Sequence, residues 1–383
     1  MDIFYWSPFI SKVATVSSVI RSAETLVKYS KKKINVSLID AIGEWDEYKN
    51  TIDPRINLIK LNKKNYYKNL PRGGFVKSRL SYLIIFFLSF YGLKSLVNEK
   101  KPNFLIIHLM TTLPIFLTLF FNKNTKIILR ISGLPKLNIF RYFFWKIFGN
   151  KIYKITCPTL GTYNYLLENK IFDEKKIFLL RDPVIFIKDF SLKKFKKIDD
   201  INFRNKKIII SIGRLTKQKN YNLLISAFNQ IVKKYTNYIL IILGEGELKF
   251  EILKMIKYLK IESKVYLAGY QDNIYKYLNI ADCFILSSLW EDPGFVLLEA
   301  GLSNTPVISS NCPNGPQEIL DDEKNGYLFL NNNQSELIKK FEEFKNEDIS
   351  IINKKKLGLK KELKKYTLYS HFNALKKIIN LED

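Results

Sequence analysis

Four charged side chains in the second half of the sequence can bind an anionic, hydroxyl-rich ligand. Arg214 and Lys219 follow an apolar run that ends at Gly213, and they offer a guanidinium and an ammonium to phosphate oxygens. Glu291 and Glu299 flank a Pro-Gly pair in the stretch SSLWEDPGFVLLEAG, where a carboxylate can accept hydrogen bonds from vicinal hydroxyls such as those of a ribose. Together these residues predict a pocket for a nucleotide diphosphate that carries a hydroxyl-rich group.

A predicted helix start lies beside the two glutamates. We expect this helix to begin near Gly294, so that the backbone N–H groups around Gly294, Phe295 and Val296 face the ligand. The stretch NGPQEIL predicts a second helix start, with Pro316 suited to the first helical position. Either start alone is also typical of an ordinary capped helix, so the prediction depends on the combination with the charged residues.

The elements that position these residues follow a repeating pattern. After about Lys206, apolar strand-like runs alternate with helical repeats, beginning with KKIIISIG and NYNLLISAFNQIVKKY. Such alternation predicts a parallel sheet covered on both faces. The first half contains comparable runs, namely DIFYW, NVSLIDAI, NFLIIHL, KIILRIS and YKITCP. The predicted fold class is α/β, with two Rossmann-like doubly wound domains facing across a cleft, and ligands are expected beyond the carboxyl ends of the strands.

A length of 383 residues is more than one core usually supports. We predict a first domain over residues 1–195, a second over residues 196–365, and a terminal helix over residues 366–383 that can return to the first domain. The charged segment 189–207 matches neither core pattern, and it contains the predicted boundary.

The basic charge is concentrated in the first half. Lys and Arg number 62 against 36 Asp and Glu, a formal net charge of +26, and Glu99 is the only acidic residue between Asp53 and Glu168. This excess points to an anionic partner such as phosphates, nucleic acid or an acidic membrane leaflet, although coding bias toward Lys also contributes. The apolar run Leu80–Leu93 is shorter than the roughly 20 residues of a spanning helix. We therefore expect a buried helix there, with a peripheral membrane role left open.

The sequence gives no indication of a metal or a cofactor. The three cysteines, Cys157, Cys283 and Cys312, lack C-x-x-C spacing, no D-x-D occurs, and the two histidines are His108 and His371. We expect His108 to be structural, and we assign no role to His371. The first residues do not form a signal peptide, so a cytoplasmic location is expected.

These motifs resemble a known family. The stretches GRLTKQKN, LGEGE, SSLWEDPGFVLLEAGLSNTPVISSNCPNGPQEIL and NGYLF are similar to the donor-binding half of retaining glycosyltransferases of family 4, which have the GT-B architecture. The resemblance covers Ile208 to Leu330. It implies that Arg214 and Lys219 hold the donor diphosphate, that Glu299 binds the ribose, and that Glu291 contacts the transferred sugar.

The resemblance also implies a function. It suggests metal-independent, retaining transfer of a sugar from a nucleotide-diphosphate sugar, with UDP favoured, to a glycan or lipid-linked acceptor. The resemblance is to bacterial surface-polysaccharide enzymes, and it implies a role in making lipopolysaccharide O-antigen, capsule or exopolysaccharide. The first domain would bind the acceptor and contact an anionic membrane surface from the cytoplasmic side. No nucleic-acid partner is expected, because no RRM, helix-turn-helix or zinc pattern is present.

Several positions depart from the family pattern. The family's E-G-F-G-L reads EDPGF here, so that Pro293 removes a backbone N–H and Asp292 adds a carboxylate. Ser11 and Lys12 stand in place of the glycine-rich first loop, and Ser132 stands where many members have a histidine at the end of a later N-terminal strand. Two other functions therefore remain compatible with the sequence: a nucleotide-sugar epimerase of the same architecture, and a nucleotide-sugar-binding relative without turnover.

Overall fold

The computed structural model describes residues 1–11, 14–121, 124–186, 190–192 and 205–381. The chain forms two compact units, one made of Met1–Val184 with Tyr366–Asp383 and the other of Ile185–Lys365. The predicted boundary between residues 195 and 196 lies outside the described residues, and the two units separate after Val184. The predicted terminal helix lies with the first unit.

The first unit is built on a parallel sheet. In the described part of the chain this sheet has seven strands, in the order β3-β2-β1-β4-β5-β6-β7. The strands are β1 (Asp2–Trp6), β2 (Asn35–Asp40), β3 (Asn57–Lys60), β4 (Phe104–Ile107), β5 (Lys126–Arg130), β6 (Lys154–Cys157) and β7 (Ile177–Leu179). The helices between them are α1 (Ala14–Tyr29), α2 (Phe75–Lys100), α3 (Thr112–Leu117), α4 (Ile139–Gly149) and α5 (Leu160–Glu168).

The second unit repeats this plan. Its described sheet has six parallel strands in the order β10-β9-β8-β11-β12-β13. They are β8 (Lys207–Ile212), β9 (Tyr238–Leu243), β10 (Val265–Leu267), β11 (Cys283–Leu286), β12 (Val307–Ser310) and β13 (Tyr327–Phe329). Its helices are α6 (Tyr221–Lys234), α7 (Lys249–Tyr258), α8 (Tyr275–Leu278), α9 (Phe295–Leu302), α10 (Pro316–Leu320), α11 (Gln334–Asn346) and α12 (Ile349–Glu362), and α13 (Leu368–Ile378) then returns to the first unit.

The two sheets share one topology. In each, the first strand pairs with the second on one side and with the fourth on the other, so the chain winds away in opposite directions from the junctions β1/β4 and β8/β11. The strands read as continuous apolar runs because both faces are covered, and all six residues of β9 are buried. The predicted fold class of two Rossmann-like doubly wound domains is confirmed. Loops diverge at such junctions and leave a crevice at the carboxyl edge of the sheet.

Helix α13 completes the core of the first unit by packing on α1. Its His371 is buried, and Nδ1 donates to the carbonyl oxygen of Arg181 at 2.7 Å while Nε2 lies 2.8 Å from the Ser22 hydroxyl. Burial, helped by the charge of Arg130, lowers the pKa of His371 to about 4, so the ring is neutral near pH 7. His371 therefore links the terminal helix to the remainder of the unit.

His108 is also buried, directly after β4, where its backbone N–H donates to the Trp6 carbonyl at 2.9 Å. Burial and the charge of Arg130 hold its pKa well below the usual value. The His108 ring is thus buried and neutral at the end of a strand. This position agrees with the structural role that the sequence predicts for His108.

Helix α2 differs from the buried helix that its apolar run predicts. It extends over 26 residues because helical structure continues through polar residues on both sides of the run Leu80–Leu93. Among the described residues it is the one helix long and apolar enough to cross a membrane by length and composition. One face is buried in the unit, through Ser81, Ile85, Ser89, Leu93 and Val97. The opposite face is exposed, so the prediction is wrong for half of the helix.

Candidate functional site

The predicted site residues lie at the β8/β11 junction of the second sheet. Gly213 and Arg214 directly follow β8, while Ser287 to Glu291 directly follow the neighbouring strand β11. Two hydrogen bonds join these loops: Leu289 N–H donates to the Gln218 carbonyl, and the Gln218 side-chain amide donates to the Trp290 carbonyl, each at 2.8 Å. The topology therefore brings together two segments about 70 residues apart in sequence.

Lys219 and Glu291 form an ion pair at this junction. Lys219 Nζ donates to Glu291 Oε1 at 2.5 Å, and the Ser288 hydroxyl donates to the same oxygen at 2.5 Å. The two side chains are only 13% and 6% exposed. The Ser287 hydroxyl also donates to the Lys219 carbonyl at 2.8 Å, which fixes the lysine backbone. An ammonium held in this way keeps two further donors for an incoming anion.

Arg214 differs from Lys219 in its surroundings. Its side chain is exposed and makes no ion pair with any residue that the structure describes. Gly213 supports Lys219, because a Cβ at position 213 would lie 2.8 Å from Lys219 Cε. A guanidinium and an ammonium thus leave the same strand end, and both can donate charge-assisted hydrogen bonds to phosphate oxygens.

Glu299 lies in the second turn of α9, where it is half-buried. Within the described residues no group hydrogen-bonds to its carboxylate. Burial raises the pKa of Glu299 to about 7, against the opposing effect of the Lys219 charge. A carboxyl group without a partner beside a fixed cation can accept hydrogen bonds from two neighbouring hydroxyls of a ligand.

The start of α9 is formed by Gly294, as the sequence predicts. Gly294 caps the helix with a φ of +91°, in the left-handed region that favours glycine, and a Cβ there would come within 3.3 Å of Glu291 Cγ. Phe295 and Val296 form the first helical turn and are half-buried. Their N–H groups belong to the set that a helix start leaves without an intrahelical acceptor.

The unusual EDPGF loop is held by the segment that precedes α10. The Asn314 side-chain amide donates to the Asp292 carboxylate, and Gly315 approaches so closely that a Cβ there would lie 1.9 Å from the Pro293 carbonyl oxygen. Helix α10 is only five residues long. The second predicted helix start therefore serves mainly to position the loop between Glu291 and Gly294.

The structure groups Gly213, Arg214, Lys219, Glu291, Gly294 and Glu299 within the second unit. Ser11, His108 and Ser132 lie in the first unit, and Lys12 lies outside the described residues. Sequence reasoning missed Ser288 and Gln218, which are positioned by the pairing of the β8 and β11 loops. A small polar residue at a strand end was the available signal for Ser288.

Among the residues that the structure describes, no three His, Cys, Asp or Glu side chains are grouped so that they could hold a metal ion.

Comparison with known proteins shows which proteins the second unit resembles. Residues 193–366 match the family model of glycosyl transferases group 1. An uncharacterized glycosyltransferase of Methanocaldococcus jannaschii is 32% identical over 262 residues, which cover 61% of this chain and 62% of the relative. The N-acetylgalactosamine-N,N'-diacetylbacillosaminyl-diphospho-undecaprenol 4-alpha-N-acetylgalactosaminyltransferase of Campylobacter jejuni is 33% identical over 177 residues, 46% of each chain. The chain thus spans about half to three-fifths of the length of these relatives.

Solved structures extend the comparison to the whole fold. Anabaena HepE in complex with UDP superposes with a TM-score of 0.75 at 12% identity, covering 99% of this chain and 100% of the other. At that identity the likeness concerns the fold. Over residues 193–366 the chain is therefore similar to glycosyl transferases group 1, and its two doubly wound sheets share the GT-B fold of the solved structures.

Proposed function

We propose that this protein is a retaining hexosyltransferase that moves a sugar from a nucleotide-diphosphate sugar to a glycan or lipid-linked acceptor. The proposed pathway class is bacterial surface polysaccharide synthesis, including lipopolysaccharide O-antigen, capsule and exopolysaccharide. The observation that carries the proposal is the grouping of Arg214, the Lys219–Glu291 pair and Glu299 at the β8/β11 junction. UDP is the favoured nucleotide, since HepE of the same fold binds it. A lipid-linked acceptor is supported by the diphospho-undecaprenol in the name of the Campylobacter relative.

The side chains of the site can supply the chemistry without a metal. The bond between the anomeric carbon and the β-phosphate oxygen breaks while the acceptor oxygen bonds to the same face of the sugar. The proton of the acceptor hydroxyl passes to the departing phosphate. Arg214 and Lys219 stabilise the charge that develops on that phosphate, and each such hydrogen bond is worth about 1.5–3 kcal/mol.

The two glutamates orient the donor. Glu299 accepts hydrogen bonds from the ribose hydroxyls, which supply the partner that its carboxyl group lacks. Glu291 accepts from a hydroxyl of the transferred sugar through the oxygen that is not shared by Lys219 and Ser288. Because the same carboxylate holds Lys219, sugar recognition and diphosphate binding are coupled in this site.

Calorimetric titration with UDP and GDP in EDTA tests the donor site. We expect metal-free binding of UDP, weakened roughly 10-fold to 100-fold in Arg214→Ala, which loses one or two charge-assisted bonds. Glu299→Ala is expected to weaken binding through the ribose. Lys217→Ala is the matched control, since Lys217 is an exposed cation of the same loop. Equal binding by all four proteins would contradict the assignment of the site.

Turnover tests the reaction class. Transfer without added metal, and a product with the anomeric configuration of the donor, are expected. Activity that EDTA abolishes and Mn²⁺ restores would contradict the metal-independent mechanism, and an inverted product would contradict retention. Consumption of the donor sugar without any acceptor would indicate an epimerase instead.

Association with the cytoplasmic face of a membrane belongs to the same proposal. The first unit carries the basic excess, and anionic lipids attract Lys and Arg near the membrane surface with about 1 kcal/mol per residue.

A further inference from the structure

A cavity of about 460 Å³ lies at the carboxyl edge of the first sheet. Trp6, the last residue of β1, contributes to its lining, as do Met110 to Leu113, which follow β4. The cavity therefore occupies the β1/β4 junction, the position where doubly wound sheets bind ligands. It is the counterpart, in the first unit, of the donor site in the second.

The lining of this cavity combines cations with apolar side chains. Arg79 comes from α2 and Arg141 from α4, and no acidic residue contributes to the lining. Arg141 is held in place, because its Nη1 donates to the Lys136 carbonyl at 2.9 Å and its guanidinium lies 5.7 Å from the Trp145 ring centre. Trp6, Tyr82, Leu83 and Phe86 supply the apolar walls. Such a lining suits a ligand that is anionic at one point and apolar elsewhere.

The two helices that supply the arginines also expose apolar stripes. On α2 the exposed residues recur at helical spacing: Val76 (77% exposed), Leu80 (49%), Leu83 (55%), Phe87 (71%) and Tyr91 (80%). On α4 the stripe is formed by Ile139, Phe140, Phe143 and Ile147, each more than half exposed. Exposed apolar surface of this extent and regularity marks an interaction site.

The surface charge identifies the partner as an anionic membrane. Between Asp53 and Glu168 the sequence contains one acidic residue, Glu99, and it lies near the end of α2. Lys77, Arg79, Arg141 and Lys146 lie on the same two helices. Basic residues beside an apolar stripe are the pattern of a helix that lies in the interface of a bilayer.

The opposite face of α2 is packed in the unit through Ser81, Ile85, Ser89, Leu93 and Val97. A helix with one face in a protein core and one face exposed cannot cross a bilayer without leaving that core. This packing indicates insertion parallel to the membrane surface.

We infer that the cavity binds the phosphate or diphosphate of a lipid-anchored acceptor, between Arg79 and Arg141, while the stripes of α2 and α4 enter the leaflet that holds the lipid. This inference rests on the proposed function in taking the acceptor to be lipid-linked. It makes no use of the donor site, so the two can fail separately.

Vesicle flotation of the full chain tests the surface. Phe87→Ser with Tyr91→Ser changes exposed positions only, and we expect at least a tenfold loss of binding to phosphatidylcholine vesicles that contain phosphatidylglycerol. Tyr258→Ser with Ile349→Ser is the matched control, because these residues are 85% and 66% exposed in the second unit. An equal loss in both variants, or none in either, would overturn the inference. If the protein forms a dimer and the double substitution Phe87→Ser with Tyr91→Ser dissociates it, the stripe binds a second copy of the chain and the membrane inference is overturned.

Titration with farnesyl diphosphate tests the cavity. We expect Arg79→Gln with Arg141→Gln to weaken binding at least tenfold and to leave UDP binding unchanged. Lys33→Gln is the control, since it removes an exposed cation just before the start of β2, away from the carboxyl ends of the strands. Inorganic diphosphate is expected to bind much more weakly than the lipid diphosphate. Unchanged farnesyl diphosphate binding in the arginine variant, or equal binding of inorganic diphosphate, would refute the inferred subsite.

Discussion

At the scale of single residues, the ionisation of Glu299 would control ligand binding at the proposed donor site. Burial raises its pKa to about 7, so the carboxyl group changes charge within the physiological range. The ionised form offers both oxygens as charged acceptors for two hydroxyls, whereas the protonated form has one O–H donor and accepts more weakly. Lys219 and Glu291, in contrast, fix each other in a single arrangement.

This ionisation predicts a pH dependence of donor binding. The affinity for UDP-glucose is expected to rise about tenfold between pH 6 and pH 8, because the fraction of ionised Glu299 rises by that factor around a pKa of about 7. UDP-glucose is the suitable probe, since its diphosphate diester has no proton to lose in this range. Calorimetric affinities at both pH values are the measurement. In Glu299→Gln the rise should be absent, and its persistence there would assign it to another group.

The same shift has a defined effect on stability. A carboxyl group whose folded pKa is raised holds its proton more tightly in the folded state, so folding stability falls as pH rises from about 4.5 to about 7. In the proposed function, donor binding would oppose this loss by giving the carboxylate hydrogen-bond partners.

The residue types of the site could be predicted from sequence, but their pairing could not. Arg214, Lys219, Glu291 and Glu299 stand at predicted strand ends or in the following helix, which was sufficient to group them. The contact between Lys219 and Glu291 depends on which strand pairs with the side of β8 that β9 leaves open, and that strand is β11 rather than the nearer β10. Strand order is a tertiary property, and no local pattern specifies it.

At the scale of elements, the loop between β11 and α9 depends on a close backbone approach. Gly315, with a φ of +145°, faces the Pro293 carbonyl. The segment before α10 therefore supports the loop that carries Glu291 and Gly294.

Substitution of this glycine should disturb the donor site from outside it. Gly315→Ala places a Cβ 1.9 Å from a backbone oxygen, so we expect weaker UDP binding and a loss of stability greater than the 1–2 kcal/mol or so of left-handed strain alone. Gly269→Ala is the matched control in the same unit, with a φ of +67° and only the Glu245 carboxylate nearby, at 3.0 Å. Urea denaturation and UDP titration are the measurements. Equal losses in the two variants would show that the approach to Pro293 is unimportant.

Most elements followed from periodicity, and the exceptions have physical reasons. The long apolar strands were predicted, whereas the edge strands β3 and β7 were missed because they are only four and three residues long. Helix α12 was missed because its sequence is mostly polar. For α2, apolar residues on both faces suggested full burial, but only one face finds a partner in the unit.

At the scale of the whole molecule, the first unit is closed by a helix distant in sequence. Phe372, Leu375, Ile378 and Ile379 are buried in its core, and His371 hydrogen-bonds to α1. Burial of four such side chains contributes on the order of 6–12 kcal/mol as an upper estimate. That amount is comparable with the net stability of a domain.

Removal of residues 366–383 should therefore unfold the first unit selectively. Scanning calorimetry is expected to show loss of one transition, while the second unit keeps its own transition and its UDP binding. Tyr369→Ser tests the same helix at a position that is 58% exposed, and it should leave both transitions in place. A truncated chain with two unchanged transitions would show that α13 is dispensable.

The discontinuity of the first unit also sets an order of events during synthesis. Residues 1–184 leave the ribosome first, but the helix that covers α1 is made only after the roughly 180 residues of the second unit. At typical translation rates this interval lasts on the order of 10–40 s. During that time the nascent first unit presents the apolar face of α1 to the cytosol. The second unit can therefore finish folding before the first unit does. Chaperones that bind exposed apolar helices would meet this protein at its N-terminal half.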